Sequence, residues 1–145
     1  MRCSSKIKIN QAKIRQLSQA AITSLEQTAE ALHGEVVSAG VVPRMDGALE
    51  GESFFADYSE SSNGRVSLVH STPYARRLYF HPEYNFHKEP WEETVHHKDG
   101  SESHLKHDGN PNAKGKWFED WCPGGKEADY APDTFKKLYR RNAGL

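Results

Sequence analysis

Ile14, Leu17, Ala21, Leu25, Thr28 and Leu32 follow one another at steps of three and four residues. An α-helix turns once per 3.6 residues, so this spacing gathers them on one face that another element must cover. Asn10 stands where an N-cap is needed, its side-chain oxygen able to accept from a free amide of the first turn. The helix is expected to end near Gly34. Beyond it, Val36, Val37, Val41 and Val42, broken by Gly40 and closed by Pro43, suit a strand or extended connector. Met45-Asp46-Gly47 then turns the chain.

Phe, Tyr and Val enrichment marks two strands, from Glu52 to Tyr58 and from Arg65 to His70, with an Asn-Gly turn inside Ser61-Ser62-Asn63-Gly64. Thr72-Pro73 opens a short helical segment with Tyr74, Leu78 and Tyr79 near one side and Arg76 and Arg77 elsewhere. Trp117, Phe118 and Trp121 look like an anchor returning the chain to the core, and Cys122-Pro123-Gly124-Gly125 breaks any helix that they start. A last helix is expected from about Pro132, with Phe135, Leu138 and Tyr139 on its buried side. These elements make one α+β domain over residues 1–145, an antiparallel sheet packed by a long N-terminal and a C-terminal helix. Residues 1–9, ending in Ile7 and Ile9, read as an arm or an edge strand.

Between Glu83 and Gly115 the main aliphatic residues are Val95 and Leu105, while five of the eight histidines lie there. Thr94 to His97 and Glu102 to Leu105 flank Lys98-Asp99-Gly100-Ser101, which predicts a polar hairpin around residues 90–109. His96, His97, His104 and His107, with His87, Asp99 and Asp108, are the weak metal-ligand candidates, because imidazoles and carboxylates are what zinc or nickel sites use. Their spacing fits no finger, and adjacent His96 and His97 on a strand would point to opposite faces. The string HHKDG followed by NPN is loosely similar to HNH endonucleases, in which a histidine activates water beside a metal. No histidine follows His107 to complete that pattern. Phosphate-loop and nucleophile-elbow motifs are missing, and Cys122 beside Trp121 has no nearby histidine to activate it. No catalytic residue, metal or cofactor is expected.

Nineteen basic and twenty acidic residues leave a formal charge of −1, which gives no bulk attraction to a polyanion. Basic residues nevertheless gather at Lys136, Lys137, Arg140 and Arg141, and acidic ones at Glu50, Glu52, Asp57 and Glu60. Two cysteines, Cys3 and Cys122, make no disulfide framework, and no apolar run approaches the roughly 20 residues of a membrane span. A mean hydropathy of −0.82 gives more surface-type sequence than one core requires, so part of the chain is extended or packs on other subunits.

The stretch STPYARRLYFHPEYNFHKEP, Ser71–Pro90, followed by NPNAKGKWFEDW, Asn110–Trp121, resembles the minor capsid proteins encoded in the head-to-tail gene cluster of long-tailed bacteriophages and prophages of Gram-positive bacteria. That family is similar to the wider group of tail-completion or neck proteins. PRMDGAL, Pro43–Leu49, is similar to a turn that such proteins carry after their first helix, with methionine, aspartate and glycine where the family has Asp-Thr-Gly. The likeness runs in order over most of positions 10–141. It departs from about Pro90 to Gly109, where family members pass almost directly from His-Lys to NPNA, so the hairpin reads as an insertion.

The resemblance implies a non-enzymatic virion protein of the neck. It implies a homo-oligomeric ring, commonly six-fold, between a head-closure protein and a tail terminator protein, assembled in the host cytoplasm. DNA would pass through the channel without sequence-specific binding, and no membrane is involved. Rings need heterologous interfaces, and Tyr and Arg are favoured in them. Tyr74, Arg76, Arg77, Tyr79, Phe80, Tyr84, Phe86, Trp91 and Trp117 are the interface candidates. The competing readings are a metal-dependent nuclease or metal-binding protein built on the histidines, and an assembly factor absent from the finished particle.

Overall fold

Asn10 caps the first helix through two bonds: its Oδ1 accepts from the Lys13 N–H at 3.0 Å and its carbonyl from the Ile14 N–H at 3.1 Å. The computed structural model describes residues 2–44 and 49–145; the turn expected at Met45-Asp46-Gly47 lies outside the described residues. Helix α1 spans Gln11–Ser38, about 42 Å at 1.5 Å per residue. It therefore runs through Gly34, so Val36 and Val37 are helical and not part of a strand. The cause is burial: Val36 is fully enclosed, and its transfer from water, about 1.5–3 kcal/mol, exceeds the roughly 1 kcal/mol that a mid-helix glycine costs. The helix stops instead at Gly40, whose φ of +63° is open to glycine and whose N–H bonds the Val37 carbonyl at 3.0 Å.

The covered stripe of α1 is Ala20, Ser24, Thr28 and Val36, with Leu32 partly buried. It is turned slightly from the expected face, leaving Ile14 exposed. Ser24 and Thr28 return their hydroxyl protons to the carbonyls of Ala20 and Ser24, at 2.6 and 2.7 Å, so neither is buried unpaired. These small side chains admit helix α3, Tyr130–Ala143. Asn142 Nδ2 donates to Ser24 Oγ and Gln27 Oε1, at 2.9 and 3.0 Å, and Tyr130 Oη to the Ala31 carbonyl at 3.4 Å. Pro132 lies in the first turn of α3, two residues inside its start.

The fold is α+β, with two separate two-stranded antiparallel sheets. In the first, β1 (Phe54–Asp57) pairs with β2 (Ser67–His70) in the register Phe54 opposite His70. Their connection is wider than an Asn-Gly turn: a 3-10 helix at Ser61–Asn63 stops at Gly64, φ +79°. Helix α2, Ala75–Phe80, comes next. In the second sheet, β3 (Trp91–His96) pairs with β4 (Glu102–His107). The His97 carbonyl accepts from Gly100, and the His97 N–H donates to Ser101. With Gly100 at φ +84°, this is a three-residue hairpin loop closed by a left-handed glycine.

Val36, Val41, Val42, Leu49, Phe54, Ala75 and Trp117 form the core. His70 sits among them, stacked on Phe54 with centroids 4.2 Å apart.

Candidate functional site

Helix α2 and the turn after it build an aromatic surface. Tyr74, Arg77, Leu78, Tyr84 and Phe86 surround an open groove of about 440 Å3, with Leu49 and His87 completing its walls. Arg77 Nε donates to Tyr84 Oη at 3.0 Å and its guanidinium lies 5.6 Å from the ring centroid, so the cation and the phenol hold one another. His81 stacks on Tyr84 at 4.8 Å and meets the Glu83 carboxylate at 2.7 Å, a bond that lowers the Glu83 pKa. Tyr84 is thereby set by two residues that precede it, one on α2 and one in the turn.

The nine interface candidates separate into three groups. Tyr74 (40%) and Phe80 (57%) are exposed, as are Arg76 and Arg77, while Tyr79, Tyr84 and Trp91 are partly exposed. Phe86 and Trp117 are buried within the chain itself, so intramolecular packing occupies both rings. Trp117 meets Tyr79 edge-on at 4.9 Å. Tyr79 is half-buried, and burial together with the Cys122 and Glu119 side chains raises its phenol pKa.

The histidines of the second hairpin do not converge. Residues opposite in register share a face, so His96 and His104 lie on one face with Thr94, and His107 on the other with Trp91 and Glu93. Each takes its own partner: His96 with Glu102 at 2.9 Å, His104 with Thr94 at 3.3 Å, His107 with Glu93 at 3.1 Å. His97 lies in the loop beyond β3 and bonds Ser103 Oγ at 2.9 Å. Asp99 is held below its usual pKa by the hydroxyl and amide of Ser101, which makes it a loop-closing residue. Among the described residues no group of three His, Cys, Asp or Glu side chains could hold a metal. Trp91 stacks with two imidazoles, His87 at 4.3 Å and His107 at 4.2 Å, which ties the strand to the chain before it.

Sequence reading missed the joint beneath this hairpin. The Asn110 N–H donates to the His87 carbonyl at 3.0 Å, and Asn110 Nδ2 reaches the carbonyls of Gly40 and Val42, at 2.8 and 3.3 Å. A Cβ on Gly109 would stand 2.3 Å from the Lys88 carbonyl oxygen, and one on Gly115 would stand 2.7 Å from Pro82 Cα. The Lys116 N–H closes the seam on the Tyr79 carbonyl at 2.8 Å. Ser71–Pro90 and Asn110–Trp121 are thus packed backbone against backbone, with the hairpin issuing from between them. Two glycines within seven residues beside asparagines were the available signal, since close backbone approach requires glycine.

No protein family, curated protein or solved structure matches the chain. Among the described residues no helix is long and apolar enough to cross a membrane.

Proposed function

We propose that this chain is a structural subunit of the bacteriophage head-to-tail connector, a ring-forming neck protein without catalytic activity. The observation that carries the reading is the surface at α2, where Tyr74, Arg77 and Tyr84 edge an open, largely apolar groove and Phe80 stands exposed beside them. Aromatic and arginine side chains held rigid by one another lose little freedom on association, which is why they dominate protein interfaces. The same residues lie within Ser71–Pro90, the stretch that resembles the minor capsid and neck proteins. In this reading the groove receives a neighbouring subunit, the ring stands between head-closure and tail terminator proteins, and the genome passes through its centre.

The test is a cryo-electron microscopy map of the neck of particles made from the genome that encodes this chain. The expected result is a closed ring of copies with the α2 surface at the contact between them. Particles that are complete yet lack the polypeptide by mass spectrometry would overturn the proposal in favour of an assembly factor.

A further inference from the structure

Nine of the nineteen lysines and arginines, and none of the twenty acidic residues, lie in residues 2–25 and 134–145. Over residues 26–133 ten basic residues stand against all twenty acids, so a formal charge of −1 conceals a strongly polarised chain. The fold brings the two basic segments to one end. Helix α3 runs antiparallel to α1, Tyr130 Oη donating to the Ala31 carbonyl and Asn142 Nδ2 to Ser24 and Gln27, so its last turn points along α1 toward Asn10. Arg15 stands about 14 Å along α1 from Ser24, and the exposed residues 2–10 lead from that same end. Arg2, Lys6, Lys8, Lys13 and Arg15 are all exposed, as are Lys136, Lys137, Arg140 and Arg141. At roughly 100° per residue the four on α3 fall within about 140° of its circumference, opposite the side on which Asn142 meets α1 and Phe135 and Leu138 are partly covered. Among the described residues none of the nine forms an ion pair, whereas Arg44, Arg65, Lys114, Lys116 and Lys126 of the middle stretch do.

We propose that this end of the molecule is a sequence-independent grip on the phosphate backbone of duplex DNA. Exposed lysines and arginines without carboxylate partners neutralise phosphates and release the counterions condensed on the duplex. The acidic remainder repels the same polyanion, so a bound duplex meets the molecule at this end alone. An anionic membrane fits less well, because the outward arc of α3 carries no apolar side chain to enter the acyl region. In a ring, this end faces the channel. The inference deepens the neck reading: the choice of duplex DNA rests on that reading, the position of the grip on charge and geometry.

The test is fluorescence anisotropy of the full chain with a short labelled DNA duplex, at salt concentrations from about 0.05 to about 0.2 M. With about four phosphates neutralised, affinity should fall about 150-fold over that range and be the same for duplexes of unrelated sequence. Lys6→Glu with Lys8→Glu, and Lys136→Glu with Arg140→Glu, should each weaken binding at least about tenfold. Lys98→Glu with Lys106→Glu on the second hairpin makes the same change in net charge and should weaken it less than about threefold. The first pair lies outside every helix and strand, so its result stands even where the α3 pair disturbs packing. Absence of binding at the lowest salt, or an equal loss in all three variants, overturns the proposal. So does tighter binding to vesicles of mixed phosphatidylserine and phosphatidylcholine than to duplex at equal phosphate, which makes this end a membrane contact. A closed ring in particles from a chain without DNA affinity rejects the grip alone; salt-sensitive binding by a chain missing from particles rejects the neck reading alone.

Discussion

His70 shows how a single side chain is specified by its partners. The Trp117 indole N–H donates to His70 Nε2 at 3.1 Å, and an indole nitrogen can only donate, so Nε2 must be bare. Nδ1 then carries the proton and gives it to the Leu49 carbonyl at 2.9 Å. Protonating Nε2 would break the indole bond and place a charge against Phe54. Burial accordingly lowers the His70 pKa from 6.5, opposed by the Leu49 bond and assisted by His33 nearby. The unfolded imidazole takes up a proton near pH 6.5 that the folded one refuses, so stability is full above that pH and falls as pH drops below it until the folded value is reached. The lowered carboxylates act in the same direction but at lower pH, Glu83 as pH falls below about 4.5 and Asp57, Asp99 and Asp120 below about 3.8. We expect Tm to decline between pH 7 and 5 in the wild type and the slope to flatten in His70→Gln, monitored by circular dichroism. The variant should also lose about 1–3 kcal/mol at pH 8, from broken stacking and hydrogen bonds.

At the level of elements, the second hairpin and its joint behave as separable parts. Trp91 is held by His87, but among the described residues no helix and no other strand packs extensively on β3 or β4. The joint, by contrast, is closed by Asn110 and Gly109 against residues 87–89. A chain with residues 90–108 deleted and Glu89 joined through a glycine to Gly109 should therefore fold, with Tm within a few degrees of wild type. Asn110→Ala should destabilise by about 1–3 kcal/mol, because it leaves the Gly40 and Val42 carbonyls without their donor. Urea melts of the two variants check this ordering; a deletion that unfolds would show that the hairpin is part of the core.

For the molecule as a whole, the distinction that matters is between rings committed to the core and rings left at the surface. Trp117 is enclosed and Phe80 is 57% exposed, although both stand in aromatic stretches of similar composition. Trp117→Ala should lower stability by about 3–5 kcal/mol. If the chain is the neck subunit proposed above, Phe80→Ser with Tyr74→Ser should leave Tm nearly unchanged yet reduce incorporation into particles at least tenfold, measured by quantitative mass spectrometry of purified virions. Incorporation unaffected by the surface pair would remove the α2 groove from the proposed interface.

The parts legible from sequence were those governed by neighbours in the chain. The 3.6-residue period announced α1, Asn10 its start, and Asp99-Gly100 the second hairpin, because capping, turn geometry and side-chain alternation are local. The α+β class, the two helices and both antiparallel pairs derive from such signals. Tertiary packing decided the rest. Only the core around Val36 carries α1 past Gly34, only α3 selects the Ala20, Ser24 and Thr28 stripe, and only Gly40 and Val42, some seventy residues away, give Asn110 its role. Tyr, Phe and Trp carry the same signal in sequence whether they end in a core or on a surface. What separates them is the free energy of burial, and that depends on partners brought together by the fold.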